Sequence, residues 1–358
     1  MKNKKLIHRG SVKNIYEYSS EELAMNFSDR YSVFDWGEMP DAIPNKGEAL
    51  AFMGAYFFEH LGDPETWSNW NCGPASPETK SKLYQSRTLN KIKSWGVLNH
   101  FRGQLDHNTL IAKQVNVPKL SQMGVYQTRP VQTLVPLEVV FRFGCPRGSS
   151  LLDRIQDPKY REQMGLKRQY AEDEWFDDPI VEFFTKLEPS DRYLTYSEAK
   201  SLAGLSQIEL SKLIELTQIL ALELFNVFKS INVDLWDGKF EFAFEATTQG
   251  REFLLVDSIG PDELRLSFEK QRLSKEYLRQ CYKETQWYRE LDRTKKKAPT
   301  SWKEQMKSQS NHPPQLPSEK ISHFQDMYLG LANALADRKR IQRPFSGRFQ
   351  MNKLKEKS

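Results

Sequence analysis

The sequence predicts an α+β protein. Three observations carry that expectation: short alternating strands at the start, a long helical middle third, and a charged strand with a hairpin partner followed by terminal helices. The first 35 residues alternate in "KLIHRGSVKNIYEY" and "LAMNFSDRYSVFD", with Gly10 at the turn between two strands. From Gly47 the spacing becomes helical in "GEALAFMGAYFFEHL". Residues 61–86 are rich in Pro, Ser, Asn and Gly and read as a long loop. Strand character returns in "TLIAKQVNV", "GVYQTRPVQTL" and "PLEVVFRFG".

In the middle third, Thr195–Glu198 and Ser206–Glu209 have the spacing of capping boxes. After Ser206, Leu210, Leu213, Ile214, Thr217, Leu220, Ala221 and Leu224 share one helical stripe, which reads as core. A Lys- and Gln-rich segment runs from Thr294 to Asn311, and a Pro-punctuated linker then leads into a last amphipathic helix. On this reading residues 1–130 form a β-rich lobe with an insertion at 61–86, and residues 131–337 form a mixed α/β lobe. A cleft is expected between them, and residues 338–358 form a basic tail.

Composition narrows the class. Hydrophobic residues are 39% and charged residues 28%, the balance of an ordinary globular protein, and no apolar run is long enough to span a membrane. The basic N-terminus lacks the apolar stretch of a signal peptide. Cys72, Cys145 and Cys281 are scattered and odd in number, which suits reduced thiols in a cytoplasmic protein and neither a disulfide framework nor a zinc site. The net charge of +5 does not require a nucleic-acid partner. Much of it lies in "DRKRIQRPFSGRFQMNKLKEKS", which reads as a solvated tail, with a polyanion contact as the sharper alternative. A homo-oligomer is left open.

The chemistry concentrates in "VDLWDGKFEFAFE". Alternation puts Asp237, Lys239 and Glu241 on one face of the strand, while Gly238, Phe240 and Phe242 share the other. The Phe face belongs on a core. The charged face either meets solvent or forms a floor for chemistry. Antiparallel pairing across "EATTQG" would set Asp257 beside Glu241, giving two carboxylates and a lysine, a hard-oxygen arrangement suited to Mg²⁺ and phosphates. In "LVPLEVVFRFGCPRGSS", Glu138 and Arg142 share one face of an otherwise apolar strand and read equally as a structural ion pair and as a site. "PRGSS" offers backbone N–H groups and hydroxyls to an anion, and "GPDELR" adds Asp262 and Arg265. The glycine turn with Lys13 could cover phosphates. Asp29, Arg30, Ser32, Asp35, Glu38 and Lys46 crowd a Pro- and Gly-bearing loop.

Taken in order, these stretches resemble the SAICAR synthetase family (phosphoribosylaminoimidazole-succinocarboxamide synthases). The family's Asp-x-Lys-hydrophobic-Glu-Phe-Gly strand is similar to "DGKFEFA", and its Pro-x-Glu strand ending in Arg and Gly-Ser is similar to "PLEVVFRFGCPRGS". "RGSVKNIY", "SDRYSVFD", "IPNKG", "VDSIGPDELRL", "SKEYLRQCY" and "PPQLP" also have counterparts, so the likeness runs from about Leu6 to Asp337. The resemblance implies a two-lobed, ATP-grasp-like nucleotide fold with antiparallel sheets. It also implies a ligase that uses ATP to join L-aspartate to the carboxylate of carboxyaminoimidazole ribonucleotide (CAIR).

Carried over position by position, the resemblance implies Glu241 and Asp257 as Mg²⁺ ligands, with Lys239 and Asp237 at the transferring phosphoryl group. Gly10, Ser11 and Lys13 would cover the ATP phosphates. Arg142, Ser149 and Arg265 would hold the ribonucleotide phosphate, Glu138 would lie beside the substrate, and the loop containing Asp35 would sit near L-aspartate. Four departures stand out: Asp257-Ser258 where the family has Asp-Glu, Ala243 for the motif's last Gly, one extra residue between Arg142 and Gly148, and "PDELR" for the family's more polar turn. They leave room for a paralogue joining a different acid and amine. A third reading, a nucleotide- or polyanion-binding protein without catalysis, does not account for Lys239, Glu241 and Asp257 together.

Overall fold

The computed structural model describes residues 4–248, 250–273 and 275–357, the last three by backbone alone. Gln249 of the expected hairpin turn and Ser274 of "SKEYLRQCY" lie outside the described residues. The chain divides into two compact units, each assembled from separated segments. The first comprises residues 1–55, 102–112 and 260–358, and the second residues 56–101 and 113–259.

The first unit holds a five-stranded sheet. Its order is Leu6–Arg9, Lys13–Glu17, Glu22–Phe27, Thr109–Lys113, Phe101–Asp106, and the first three strands are antiparallel neighbours. Helix Lys46–Gly62 begins in this unit. Asp29 fixes its start, its carboxylate accepting the N–H groups of Asn45 and Gly47 at 3.1 and 3.0 Å. The last long helix, Ser318–Lys339, follows the extended "PPQLP" stretch as expected.

In the second unit, helix Gln207–Ser230 opens on Ser206 with the reciprocal Glu209 bonds of a capping box, and Thr195 with Glu198 does the same for Tyr196–Leu202. Leu213, Thr217, Leu220, Ala221 and Leu224 are buried, so the helical stripe is core as its spacing implies. This helix packs on strands Leu137–Gly144, Trp175–Thr185 and Asp234–Thr247. Strand Asp234–Thr247 pairs antiparallel with Leu137–Gly144, and also with Gly250–Val256 in the register Glu241↔Val256 to Thr247↔Gly250. Strand Trp175–Thr185 continues the sheet beyond Leu137–Gly144.

Three sequence expectations need correction. Residues 61–86 are not a loop: they contain helices Pro64–Ser68 and Pro77–Tyr84 and bury Trp67, Trp70, Cys72 and Leu83. The Asp-Pro and Ser-Pro pairs that look like loop signals are helix starts. Asp63 accepts from the Glu65 N–H and Ser76 from the Thr79 N–H, with proline in the first turn where its missing N–H costs nothing. "GVYQTRPVQTL" opens inside a 3₁₀ run, Leu120–Thr128, that lies between Pro118 and Pro130, and only Thr133–Leu134 of it is strand. The basic tail is not simply solvated. Phe349, Met351 and Leu354 are buried against the last helix, where the Asn333 amide donates to the Ser346 and Phe349 carbonyls and accepts from the Phe345 N–H.

Candidate active site

Pairing decides which side chains share a face. Asp237 lies opposite Arg142 and Lys239 opposite Val140, while Glu138, Val140 and Arg142 face Phe184, Glu182 and Ile180 on the next strand. One face therefore carries Asp237, Lys239, Glu241, Glu138, Arg142 and Glu182. The opposite face carries Phe240, Phe242, Val139, Phe141 and Phe183, all buried. Phe141 stacks on Phe240 with ring centres 4.9 Å apart. The alternation read from the sequence thus separates core from chemistry.

The charged face contains two linked clusters. In one, Lys239 Nζ lies 2.5 Å from Glu138 and 3.7 Å from Glu241, and Lys186 Nζ lies 3.0 Å from Glu138 and 2.6 Å from Glu241. Both lysines remain partly open to solvent, at 31% and 25%. Burial would raise the Glu138 carboxyl, but Lys239 and Lys186 outweigh it and hold Glu138 below the usual carboxylate range. Burial also opposes the charges of the two lysines. Glu138 and Glu241 overcome that opposition and keep both above the ordinary lysine value.

Glu241 behaves differently. Burial pushes its carboxyl up, the Asp257 charge pushes it further, and the lysines only partly compensate. Two close carboxylates with an unmet electrostatic cost suit a hard divalent cation, which would offset both terms. Asp257 directly follows Val256, the partner of Glu241 in the ladder, and it adopts a left-handed backbone conformation (φ 68°). His100 fixes it there: its Nε2 lies 3.1 Å from the Asp257 carbonyl, which can only accept, so that nitrogen carries the proton. Among the described residues no cluster of three His, Cys, Asp or Glu side chains forms a closed metal cage. Two carboxylates completed by phosphate oxygens and water is the arrangement magnesium ordinarily uses.

In the second cluster Arg142 binds Glu182 through Nε and Asp237 through Nη1, the latter at 2.8 Å. Glu182 also takes Arg154 at 2.8 Å and the Tyr160 hydroxyl at 2.9 Å. All of Arg142, Glu182 and Asp237 are buried. Burial opposes ionisation of Glu182, yet Arg142 and Arg154 hold its carboxyl low. Ser149 is buried at the start of the short helix Leu151–Arg154, its Oγ accepting the Leu151 N–H.

The remaining candidates belong to the first unit. At the glycine turn, Gly10 N–H donates to the Lys13 carbonyl at 2.9 Å, and a Cβ at Gly10 would lie 2.8 Å from that oxygen, so the turn requires glycine. Arg30 braces it through the Gly10 carbonyl and Asn14. Ser11 lies in the turn, and Lys13 begins the next strand with its Nζ 5.7 Å from the Phe27 ring centre. Asp35 is 88% exposed, left-handed at φ 61°, and 3.3 Å from Lys295. Arg265 lies on strand Leu264–Phe268. The structure therefore gathers Glu138, Arg142, Asp237, Lys239, Glu241 and Asp257 on one sheet face, and places Gly10, Ser11, Lys13, Asp35 and Arg265 in the other unit.

Sequence reading missed Lys186, Glu182 and His100. Glu182 and Lys186 were detectable in "IVEFFTK", where two ionisable groups share a face of an apolar strand, as Glu138 and Arg142 do. His100 carried no signal, since its partner is a backbone carbonyl far along the chain. Lys46, singled out in the sequence with its loop, is wholly buried with Asp262 at 2.9 Å and the Arg30 carbonyl at 3.3 Å, a pairing the sequence did not show. Tyr328 donates to the other Asp262 oxygen at 2.6 Å. That pair ties "SDRYSVFD", "IPNKG" and "GPDELR" together inside one unit.

The fold is that of solved SAICAR synthetases. The Saccharomyces cerevisiae SAICAR synthase complexed with SAICAR superposes with a TM-score of 0.57 over 96% of this chain and 97% of that one, at 21% identity. A SAICAR synthetase in complex with ADP gives 0.51 over 86% of this chain and 99% of that one, at 22% identity. A chain of Archaeoglobus fulgidus, provisionally assigned as a phosphoribosylaminoimidazole-succinocarboxamide synthase, is 34% identical over 322 residues, 89% of each chain. The synthase of that name from Thermoplasma volcanium is 29% identical over 303 residues, 80% of this chain and 86% of that one. Residues 6–294 match the family's sequence model. This chain belongs to the SAICAR synthetase family, ligases of purine biosynthesis.

Proposed function

We propose that the protein joins L-aspartate to the carboxylate of CAIR at the expense of ATP, releasing ADP and phosphate. The observation that carries this reading is the Lys186–Glu138–Lys239–Glu241 cluster beside Asp257, whose lysines are partly open to solvent over buried glutamates. The γ-phosphoryl group passes to a CAIR carboxylate oxygen as the β–γ bridging bond breaks. The aspartate amine then attacks the acyl carbon, a C–N bond forms, phosphate leaves, and the amine gives up its proton. Such chemistry asks the protein mainly for positioning and charge.

Lys239 and Lys186 supply positive charge for the transferring group, and Asp237, held by Arg142, faces it on the same strand. Glu241 and Asp257 would hold Mg²⁺, which when bound supplies charge neutralisation of the phosphates. Gly10, Ser11 and Lys13 are assigned to the ATP phosphates, Arg265 to the ribonucleotide phosphate, Glu138 to the edge of the substrate, and Asp35 to the region of L-aspartate. Arg142 and Ser149 are engaged internally, so their contribution to phosphate binding is read as support of neighbouring groups. The names of relatives solved with SAICAR and with ADP agree with these ligands.

The test is ADP formation by the purified protein given Mg-ATP, CAIR and L-aspartate, with each omitted in turn. ADP that requires all three, together with a product of the succinocarboxamide's mass, is the expected result. ATP binding without turnover would instead point to a paralogue acting on another acid or amine.

Magnesium dependence should follow Glu241. Its folded carboxyl holds a proton more tightly than a free glutamate, so proton and metal compete for it. Apparent Mg²⁺ affinity, measured by calorimetry, should therefore weaken as the pH is lowered. The sign for stability without metal is the reverse: this group favours the fold below the ordinary glutamate value and loses that contribution as pH rises through its raised one.

A further inference from the structure

Away from the charged face, the second unit carries a groove of about 1040 Å³. Ile92, Val97, Leu216 and Phe253 give it apolar walls, and two large apolar side chains stand at it mostly in water, Trp95 at 73% and Ile208 at 80% exposure. Four cations line it, Lys82, Arg87, Lys91 and Lys212, against two carboxylates. Both carboxylates are already engaged: Glu252 by Lys91 at 2.9 Å and by Lys212, and Glu215 by the Thr88 hydroxyl. Lys82 and Arg87 have no ion-pair partner among the described residues.

Helix Arg87–Trp95 runs along the groove with Arg87 at its first position and Trp95 at its last. Eight residues of helix set the charge and the indole roughly 12 Å apart. The volume is that of a small-molecule site.

We propose that this groove binds an amphipathic organic anion. Its aromatic or aliphatic body would lie on Trp95, Ile208 and the apolar walls, and its carboxylate, sulfonate or phosphate would meet Arg87 and Lys82. Charge complementarity selects this occupant: four cations against two carboxylates leave the groove with surplus positive charge, and Trp95 and Ile208 give it exposed apolar surface. Nothing in this proposal depends on the ligase reaction.

The test uses the full chain and 1-anilinonaphthalene-8-sulfonate, followed by calorimetry and by tryptophan fluorescence. One saturable site is expected, weakening with added salt and competed by dodecanoate. Arg87→Glu should weaken it about tenfold. A carboxylate is welcome in the first turn of that helix, so this variant is expected to fold, and near-UV circular dichroism checks that it does. Ile208→Asp should weaken binding independently. Absence of a saturable site, or binding that neither substitution changes, overturns the proposal. So does a concentration-dependent dimer in sedimentation that Ile208→Asp dissociates, because the occupant would then be a second copy of the chain.

Discussion

Lys239→Ala should lose ADP formation by about 10²–10³-fold, on the scale of removing one preorganised charge from a phosphoryl-transfer site. Its fold should survive. Lys239 is about one-third exposed, and Glu138 keeps Lys186 as a partner at 3.0 Å, so the stability cost should stay below about 1 kcal/mol. Steady-state turnover and thermal melting of the same preparation separate the two effects. Near-normal turnover would remove Lys239 from the mechanism. Lys239→Arg should not restore the rate fully, because a planar guanidinium fork cannot reproduce a compact ammonium lying between Glu138 and Glu241.

Glu182→Ala should have the opposite character, costing about 3–5 kcal/mol of stability, the range for removing one partner from a buried ionic network. Arg142 and Arg154 would remain in a largely buried cluster, with Asp237 as the one carboxylate left to Arg142 among the described residues. Denaturant unfolding measures the loss directly, and a change within error of zero would show that water reaches the cluster. Glu182→Gln offers a second check. The folded carboxyl lies below its ordinary range, so the wild-type network contributes stability above the ordinary glutamate value of about 4.3 and loses it as pH falls toward the folded value. The Gln variant should show a shallower acid limb in that window.

The contrast between these variants shows what was legible in the sequence. Period-two alternation around Lys239 marked the charged sheet face and the apolar underside, because a strand's geometry leaves no freedom once its register is set, whereas the residue in register with Glu241 is Val256, one short of the expected Asp257. The capping boxes at Thr195 and Ser206 were equally readable, since their partners lie three residues away. What escaped were contacts of long range, such as His100 on Asp257, Lys46 on Asp262 and Asn333 on the tail. In each, a polar group finds its partner only after the chain has folded. The segment 61–86 failed for another reason: proline and aspartate are turn formers by composition and helix starters by position, and only position separates the two.

Asp257 sits where two demands meet. On the proposed reading the position needs a carboxylate to share a cation with Glu241, and its backbone needs a residue that accepts a left-handed conformation, for which aspartate is several-fold enriched over most side chains. Few residue types meet both demands at once. Change at Asp257 is therefore constrained from two independent directions, by charge and by chain geometry, so that Asp257→Asn removes the first while leaving the second satisfied.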